Sequence, residues 1–340
     1  MAKLTLQHLS KSFAGMSAVK DVSLGIREGG FLALLGPSGC GKTTILRMIA
    51  GFEQPSGGSI LLGDRVISDA SGALPPERRN MAMVFQSYAL WPHMSVAQNV
   101  GYPLTVRGIR GEDWRRKVAD ALAVVRLEPY ADRRPAALSG GQRQRVALAR
   151  CLVTSPDVVL LDEPLANLDR HLREQMEETF REFHRRSGAT MVYVTHDQRE
   201  AMALATDVAV MAEGRLLQVA APEDIYARPE GRVVGGLIGQ GAILSLPLPD
   251  NAPRLVDWSV LRPALETPGE GAPRDILVRP EQVHLDPEGT TMQVHASVFT
   301  GERYALDLTG PSGLALKAFS SVRLAPGDRA SFRIERGWCL

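Results

Sequence analysis

The sequence predicts an α/β fold in which a mainly parallel sheet is covered by helices and followed by a separate small β domain. Three observations support this fold class. Short apolar runs alternate with longer amphipathic stretches in the first two-thirds of the chain, residues 95–150 have a helical pattern, and the character of the sequence changes after about residue 235. We therefore expect a domain over residues 1–235, with an inserted helical subdomain at about 88–150, and a second domain over residues 236–340.

Short apolar runs predict the buried strands of the first domain. They cover residues 31–35, 158–161, 191–194 and 208–211. A helix is predicted at 170–186, because apolar residues recur there at the helical period. These residues are Leu172, Met176, Phe180 and Phe183.

The region after residue 235 has the signals of a small β-barrel or sandwich. Prolines argue against helices there, at positions 247, 249, 253, 263, 268 and 273. Apolar residues alternate with polar ones at Val294, Ala296 and Val298, and again from residue 330 to 334. This is the strand period, and a glycine–proline turn at 310–313 lies between the two segments.

The composition is that of a globular protein. Of 340 residues, 44% are hydrophobic and 23% are charged, which excludes a disordered chain. The 39 basic and 38 acidic residues nearly cancel, so no broad nucleic-acid footprint is present. Three scattered cysteines form neither a disulfide framework nor a zinc cluster and favour a reducing compartment. No signal peptide or membrane-spanning stretch is apparent, so we expect a soluble chain that can dock on a membrane protein.

A glycine-rich segment after the first predicted strand matches the pattern G-x-x-x-x-G-K-[ST]. It consists of Gly36, Pro37, Ser38, Gly39, Cys40, Gly41, Lys42 and Thr43, and Thr44 continues it into a helix. The glycines let backbone N–H groups turn towards phosphate oxygens, and the helix N-terminus adds positive potential. Lys42 would reach the β- and γ-phosphates, and the Thr43 hydroxyl would ligate Mg²⁺. A chance glycine-rich turn is the alternative, and the strand–loop–helix context argues against it.

Two acids follow the apolar run 158–161. Asp162 would hold Mg²⁺, often through water, and Glu163 would polarise an attacking water molecule. Strands often end in surface acids, so this pair is informative only together with the phosphate loop. The two segments predict a site for phosphate-bond hydrolysis.

The segment Leu138, Ser139, Gly140, Gly141 and Gln142 lies between those two motifs. In this order and spacing it resembles the signature of ATP-binding cassette (ABC) ATPases, whereas alone it is an ordinary helix start with Ser139 as N-cap. The resemblance covers residues 3–235. It implies a P-loop nucleotide hydrolase fold with an inserted helical subdomain, with ATP and Mg²⁺ as cofactors.

Further residues take their roles only from this resemblance. Gln86 is similar to the glutamine that senses Mg²⁺ and the γ-phosphate, and His196 to the switch histidine that contacts the γ-phosphate. Phe13 is similar to the aromatic residue that stacks on adenine, with a core phenylalanine as the alternative. Residues 165–169 resemble the D-loop that joins the two sites of a dimer, and Asp169 ends it. Ala166 replaces the serine common in the family, which removes a hydroxyl from the expected dimer contact.

Two other segments resemble importer ATPases. Residues 278–283 resemble the motif that opens a TOBE, or OB-like, β-barrel domain. Residues 88–93 resemble the segment that lines the groove for a helix of the membrane subunit, with a buried core turn as the alternative. The resemblance implies a homodimer in which each ATP lies between the P-loop of one chain and the signature of the other. It also implies two polytopic membrane subunits, an external substrate-binding protein, a peripheral place on the cytoplasmic face of the inner membrane, and no nucleic acid.

Two other functions remain as alternatives. One is a soluble ABC ATPase acting on nucleic acid or the ribosome, for which arginine pairs such as Arg115 and Arg116 would be the contacts. The other is an exporter ATPase, against which the C-terminal β domain argues. The shortish C-terminal domain favours an ion such as ferric iron, or a polyamine, as the cargo, and a sugar or sulfate is the alternative.

Overall fold

A computed structural model describes residues 3–85, 87–166, 169–249, 251–266 and 272–340. The chain forms two compact units, Met1–Pro222 and Glu223–Leu340. No helix in these described stretches is both long and apolar enough to cross a bilayer.

The first unit combines two sheets with a helical subdomain. Its strands are β1 (Leu4–Phe13), β2 (Met16–Ile26), β3 (Phe31–Leu35), β4 (Gly57–Leu62), β5 (Arg65–Asp69), β6 (Met81–Val84), β7 (Val158–Asp162), β8 (Thr190–Thr195), β9 (Asp207–Ala212) and β10 (Arg215–Ala220). Its helices are α1 (Lys42–Ala50), α2 (Val96–Val106), α3 (Gly111–Val124), α4 (Gly140–Leu152), α5 (Arg170–Ser187) and α6 (Gln198–Leu204).

The central sheet has the strand order β10-β9-β3-β8-β7-β6. Its strands are parallel except for β10, which pairs antiparallel with β9. All four predicted strands are present, so the mainly parallel sheet is confirmed. The register pairs Leu35 with Thr195 and Asp162 with Val194, so the residues that follow β3, β7 and β8 lie at one edge of the sheet.

The second sheet of this unit is antiparallel and has the strand order β2-β1-β4-β5. Two of its strands come before β3 in the chain and two come after it. The apolar runs predict none of these strands, since the first predicted strand begins at residue 31. The apolar pattern of this sheet is hard to read because register shifts interrupt the pairing of β1 with β2. His8 and Asp21 lie in the left-handed region, which breaks the strand period. The buried side chains Leu4, Leu6 and Leu9 nevertheless pack with helix α1 in one core.

The helical subdomain and α5 agree with the predicted pattern. Helices α2, α3 and α4 share a core with one face of the central sheet. On α5, Met176, Phe180 and Phe183 are buried, and Leu172 packs at the edge of the same core.

The second unit is rich in strands. Its helices are α7 (Pro222–Ala227), α8 (Gly231–Leu237) and α9 (Trp258–Glu266), and its strands are β11 (Ala242–Pro247), β12 (Leu255–Asp257), β13 (Pro273–Val278), β14 (Val283–Phe299), β15 (Tyr304–Thr309), β16 (Ala315–Ser320), β17 (Arg329–Ile334) and β18 (Arg336–Cys339). Two four-stranded antiparallel sheets, β11-β13-β18-β12 and β16-β15-β14-β17, enclose one core. The predicted C-terminal β domain is thereby confirmed.

Two details of this unit differ from expectation. Helix α9 forms where prolines argued against a helix, and it continues through Pro263. Its buried face, which includes Trp258 and Leu261, packs into the core. The fixed φ angle of proline is compatible with a helical backbone. The alternation at 294–298 also breaks at a register shift after Val294, so that Val298 is 59% exposed.

The units divide earlier than the boundary expected after residue 235. The buried guanidinium of Arg279 explains the difference. It donates hydrogen bonds to the carbonyl oxygens of Tyr226, at 3.0 Å, and of Ile238. These bonds hold the segment with α7 and α8 to the second unit.

Candidate active site

The phosphate loop connects the end of β3 to the start of α1. Gly39 and Gly41 have φ values of 80° and 102°, in the region that favours glycine. A Cβ atom on Gly36 would lie 2.1 Å from the carbonyl oxygen of Met211, so only glycine fits there. Gly41 caps α1 without a side-chain hydrogen bond. Among the described residues no side chain caps this helix start, so the first N–H groups of α1 are available to an anion.

Lys42 is 4% exposed and lies against the same loop. Its Nζ donates hydrogen bonds to the carbonyl oxygens of Gly36, at 2.7 Å, and Pro37, at 2.9 Å. The Sγ atom of Cys40 lies 3.7 Å from this Nζ. The fold thus holds a buried ammonium group inside the loop, where phosphate oxygens would be its alternative acceptors.

Thr43 and Asp162 are brought together by α1 and the end of β7. The Thr43 Oγ1 atom donates a hydrogen bond to Asp162 Oδ1 at 3.2 Å. Burial raises the pKa of Asp162, and the nearby Glu163 raises it further, while the Thr43 bond and the cations Arg47 and Lys42 lower it. A bound cation would favour the ionised carboxylate.

This pair of oxygen donors fits Mg²⁺, which binds proteins through one or two carboxylates together with phosphate oxygens and water. Within the described stretches no group of three or more His, Cys, Asp or Glu side chains is arranged for a metal. Thr43 and Asp162 would therefore hold the ion with oxygens of the nucleotide, as Mg²⁺ chemistry prefers.

Glu163 and His196 meet at the same edge of the sheet. Glu163 has a φ of 43°, and its backbone N–H donates to the carbonyl oxygen of Val194 at 3.0 Å. Its Oε2 lies 3.3 Å from Nδ1 of His196, and both side chains reach solvent. A left-handed backbone at a non-glycine residue is uncommon and strained, and it turns Glu163 out of the strand direction.

The signature segment begins α4. Ser139 Oγ accepts a hydrogen bond from the Gln142 backbone N–H at 3.3 Å, and the Gln142 side-chain oxygen accepts from the Ser139 N–H at 2.9 Å. This is a capping box. A Cβ atom on Gly141 would lie 2.5 Å from Leu172 Cδ1, so a larger residue here would force the Leu172 side chain to shift. Over the described part of the chain, no side-chain hydrogen bond joins Ser139 or Gln142 to the phosphate loop.

The remaining predicted residues lie in different settings. Phe13 is the last residue of β1 and is 42% exposed, so it is not a core residue. The Lys11 ammonium group lies 4.8 Å from the centroid of its ring. Asp169 caps α5 by accepting from the Leu172 N–H at 2.9 Å. Thr44 is half-buried in α1. Gln86 lies outside the described residues, as do residues 167 and 168 of the D-loop-like segment.

One residue that sequence reasoning missed is Arg150, near the end of α4. Its guanidinium donates to the carbonyl oxygens of Ala89, at 2.7 Å, and Tyr88, at 2.8 Å. It also lies 4.9 Å from the ring centroid of Trp91. The signature helix therefore holds the aromatic segment 88–93 directly. The available signal was an arginine within the apolar run that ends α4, but its partners are distant in sequence.

Comparisons with known proteins agree with this geometry. The family described as ABC transporter matches residues 19–166. A sulfoquinovosyl glycerol transport ATP-binding protein of Agrobacterium fabrum is 41% identical, over 98% of this chain and 95% of its own length. An sn-glycerol-3-phosphate import ATP-binding protein of Paracoccus denitrificans is 43% identical, over 86% of this chain and 87% of its own.

Solved structures give the same result. The protein cbiO1 of Clostridium perfringens, part of an ABC transporter complex, has a TM-score of 0.62 and 30% identity, over 66% of this chain and 90% of its own. A dimeric ATP-binding cassette in a post-hydrolysis state with ADP and phosphate has a TM-score of 0.57 and 29% identity, over 64% and 98%. The chain belongs to the ABC transporter family, as an ATP-binding and ATP-hydrolysing subunit of the importer type.

Proposed function

We propose that this chain is the ATPase motor of a membrane importer for a small polar solute. It acts as a homodimer, peripheral on the cytoplasmic face of the inner membrane, with two polytopic membrane subunits and an external substrate-binding protein. The observation that carries the proposal is the split site. Lys42, Thr43, Asp162, Glu163 and His196 gather at one edge of the sheet. In the described part of the chain, the side chains of Ser139 and Gln142 in the signature segment are instead hydrogen-bonded to each other's backbone at the start of α4.

Each of these residues has its own role in ATP hydrolysis. The loop N–H groups and Lys42 bind the β- and γ-phosphates of ATP. Thr43 and Asp162 would hold Mg²⁺, which would supply positive charge next to the phosphates. Glu163 orients and polarises the attacking water, and His196 contacts the γ-phosphate. Gln86 senses the γ-phosphate and Mg²⁺, Phe13 stacks on adenine, and these two assignments rest on the family resemblance.

The signature completes the site from the other chain. In a head-to-tail dimer the N-terminus of α4 would face the γ-phosphate held by the partner's phosphate loop, where a helix N-terminus favours an anion. Binding of ATP then closes the dimer, and loss of the γ-phosphate opens it. The membrane subunits follow this motion through the aromatic segment 88–93, which Arg150 ties to α4.

The cargo expectation needs a correction. The two relatives named above carry the names of sulfoquinovosyl glycerol and sn-glycerol-3-phosphate, so ferric iron and polyamines lose their support and the sugar alternative is favoured. The expectation rested on the length of the C-terminal domain. That length does not discriminate, because the first relative aligns over 98% of this chain. We propose a sugar or a glycerol-linked polyol as the cargo.

The arginine pairs give little support to the alternative of a soluble ABC ATPase that acts on nucleic acid or the ribosome. Arg116 pairs with Asp113, and Arg185 pairs with Glu182, each one helical turn away. These arginines belong to solvated helix faces and have acidic partners. They do not need nucleic acid to balance their charge.

Affinity purification of the tagged chain from detergent-solubilised membranes tests the proposal. We expect polytopic membrane subunits to copurify and the complex to hydrolyse ATP. Vesicles that contain the complex should take up a sugar or glycerol-linked polyol when its binding protein and ATP are supplied. Recovery with ribosomes or nucleic acid, and without a membrane subunit, would favour the alternative.

A further inference from the structure

A buried carboxylate lies beneath the turn that carries His196, and no motif of the sequence includes it. Glu200 belongs to the first turn of α6 and is only 3% exposed. A buried charge is costly unless it is paired and hydrogen-bonded, so its partners indicate what it holds.

Two of those partners come from β8, the strand that ends just before His196. The Glu200 Oε2 atom accepts hydrogen bonds from the Tyr193 hydroxyl at 2.8 Å and from the Thr195 hydroxyl at 2.7 Å. The Thr195 hydroxyl in turn accepts from the Asp197 backbone N–H at 3.0 Å. The residues on both sides of His196 are therefore fixed through a single carboxylate.

The third partner comes from α5. Arg173 Nε lies 3.6 Å from Glu200 Oε1, and Arg173 Nη1 donates to Asp197 Oδ2 at 3.2 Å. The Arg173 backbone N–H donates to the carbonyl oxygen of Asp169, the N-cap of α5 and the last residue of the D-loop-like segment. Arg173 thus joins the His196 turn to the helix start that follows this segment.

The electrostatics agree with a fixed network. Burial raises the pKa of Glu200, and the hydrogen bonds from Thr195 and Tyr193 and the charge of Arg173 oppose that rise. Burial and the neighbouring carboxylate raise the pKa of Tyr193 well above its usual range, so its hydroxyl keeps its proton and remains a donor.

We propose that Glu200 is a positioning residue for hydrolysis. Through Tyr193, Thr195 and Arg173 it holds the turn of His196 in register with the start of α5, so that the γ-phosphate contact and the D-loop-like segment keep one fixed arrangement. The inference rests on the ATPase function proposed above. It assigns Glu200 no contact with ATP.

The test compares nucleotide binding with turnover in the purified full-length chain. Glu200→Gln keeps the shape of the side chain and removes its charge. We expect kcat to fall about tenfold or more, since small displacements of reacting groups have large effects on rate, while the Kd for a fluorescent ATP analogue changes less than about twofold. Equal losses in Kd and kcat, or no loss in kcat, would overturn the proposal.

A second pair of variants separates positioning from general stability. In a His196→Ala background, adding Glu200→Gln should lower kcat by less than it does in the wild-type chain, because the part of its effect that acts through the His196 turn is already lost. Independent, multiplying losses would contradict this. Tyr193→Phe removes one donor while keeping the ring, so it provides a milder variant with the same expected split if Glu200→Gln folds poorly.

Glu182→Gln on α5 is the matched control, since Glu182 forms an ion pair with Arg185 at the surface. It should leave both Kd and kcat unchanged. The wild-type chain separates the two hypotheses. If it does not hydrolyse ATP, the proposed function fails, and if it does while Glu200→Gln retains full turnover, only the role of Glu200 fails.

Discussion

Two helix N-termini of the first unit, those of α1 and α4, begin in different ways. Helix α1 begins after Gly41, and none of the side chains that the structure describes caps it. Helix α4 begins after Ser139, whose side chain forms a complete capping box with Gln142. An uncapped start leaves its N–H groups to a ligand, whereas a capped start is already stable without one. The difference fits the proposed roles, in which α1 binds the phosphates of its own nucleotide and α4 faces the nucleotide of a partner.

The largest expected effect is a loss of ATP hydrolysis at the site to which α1 contributes. Glu163→Gln removes the carboxylate that would polarise water, so hydrolysis should fall by about 10²- to 10⁴-fold, the usual contribution of a positioned acid or base. Binding of ATP should persist, and the dimer should accumulate in size-exclusion chromatography with ATP. Glu213→Gln is a suitable control, because Glu213 also has a left-handed backbone. Turnover near that of the wild type would refute the role of Glu163.

The next effect concerns binding at α1. Lys42→Ala removes an ammonium group that the loop holds with two carbonyl oxygens. Charge-assisted hydrogen bonds contribute about 1.5–3 kcal/mol, so the Kd for ATP should rise about 10- to 100-fold in an affinity titration. Lys117→Ala, on the separate helix α3, should not change it. An unchanged Kd for Lys42→Ala would mean that the loop alone holds the nucleotide.

A smaller effect separates the two roles of the α4 cap. Ser139→Ala should cost about 1 kcal/mol of stability, the usual value for an N-cap, and should also reduce ATP turnover. Ser95 forms the same capping box with Gln98 at the start of α2. Ser95→Ala should therefore lower thermal stability to a similar extent and leave turnover unchanged. If both variants lose turnover equally, the signature serine acts only as a cap.

The smallest effect is a labelling rate. Cys40 lies in the phosphate loop before α1, 3.7 Å from the Lys42 ammonium. We expect its thiol to react slowly with a maleimide, to block ATP binding once modified, and to be protected by ATP. All three cysteines are buried, and burial raises the pKa of Cys151 to about 12 and also raises that of Cys339, so Cys40→Ala should remove the part of the labelling that ATP protects. Equal labelling with and without ATP would argue against a site at this loop.

Much of the site was readable from short segments because its chemistry is local. The phosphate loop needs glycines at fixed spacing and a lysine that follows them, and these features are contiguous from Gly36 to Thr43. The parallel sheet was readable for a similar reason, since fully buried strands are continuous apolar runs. The antiparallel sheet with β1 was missed because its irregular register hides the strand period. Helix α9 was missed because burial of Trp258 and Leu261 outweighs the local signal of Pro263.

By itself, the sequence determined the fold class, the phosphate loop, the acids after β7 and the signature, since each depends on neighbouring residues. Only the tertiary structure decided which distant groups meet. The pairing of Glu163 with His196 depends on adjacent strands β7 and β8, and the Glu200 network joins β8, α5 and α6. Arg150 reaches Tyr88 and Ala89 across the helical subdomain. Such contacts follow from strand order and helix packing, which no local pattern encodes.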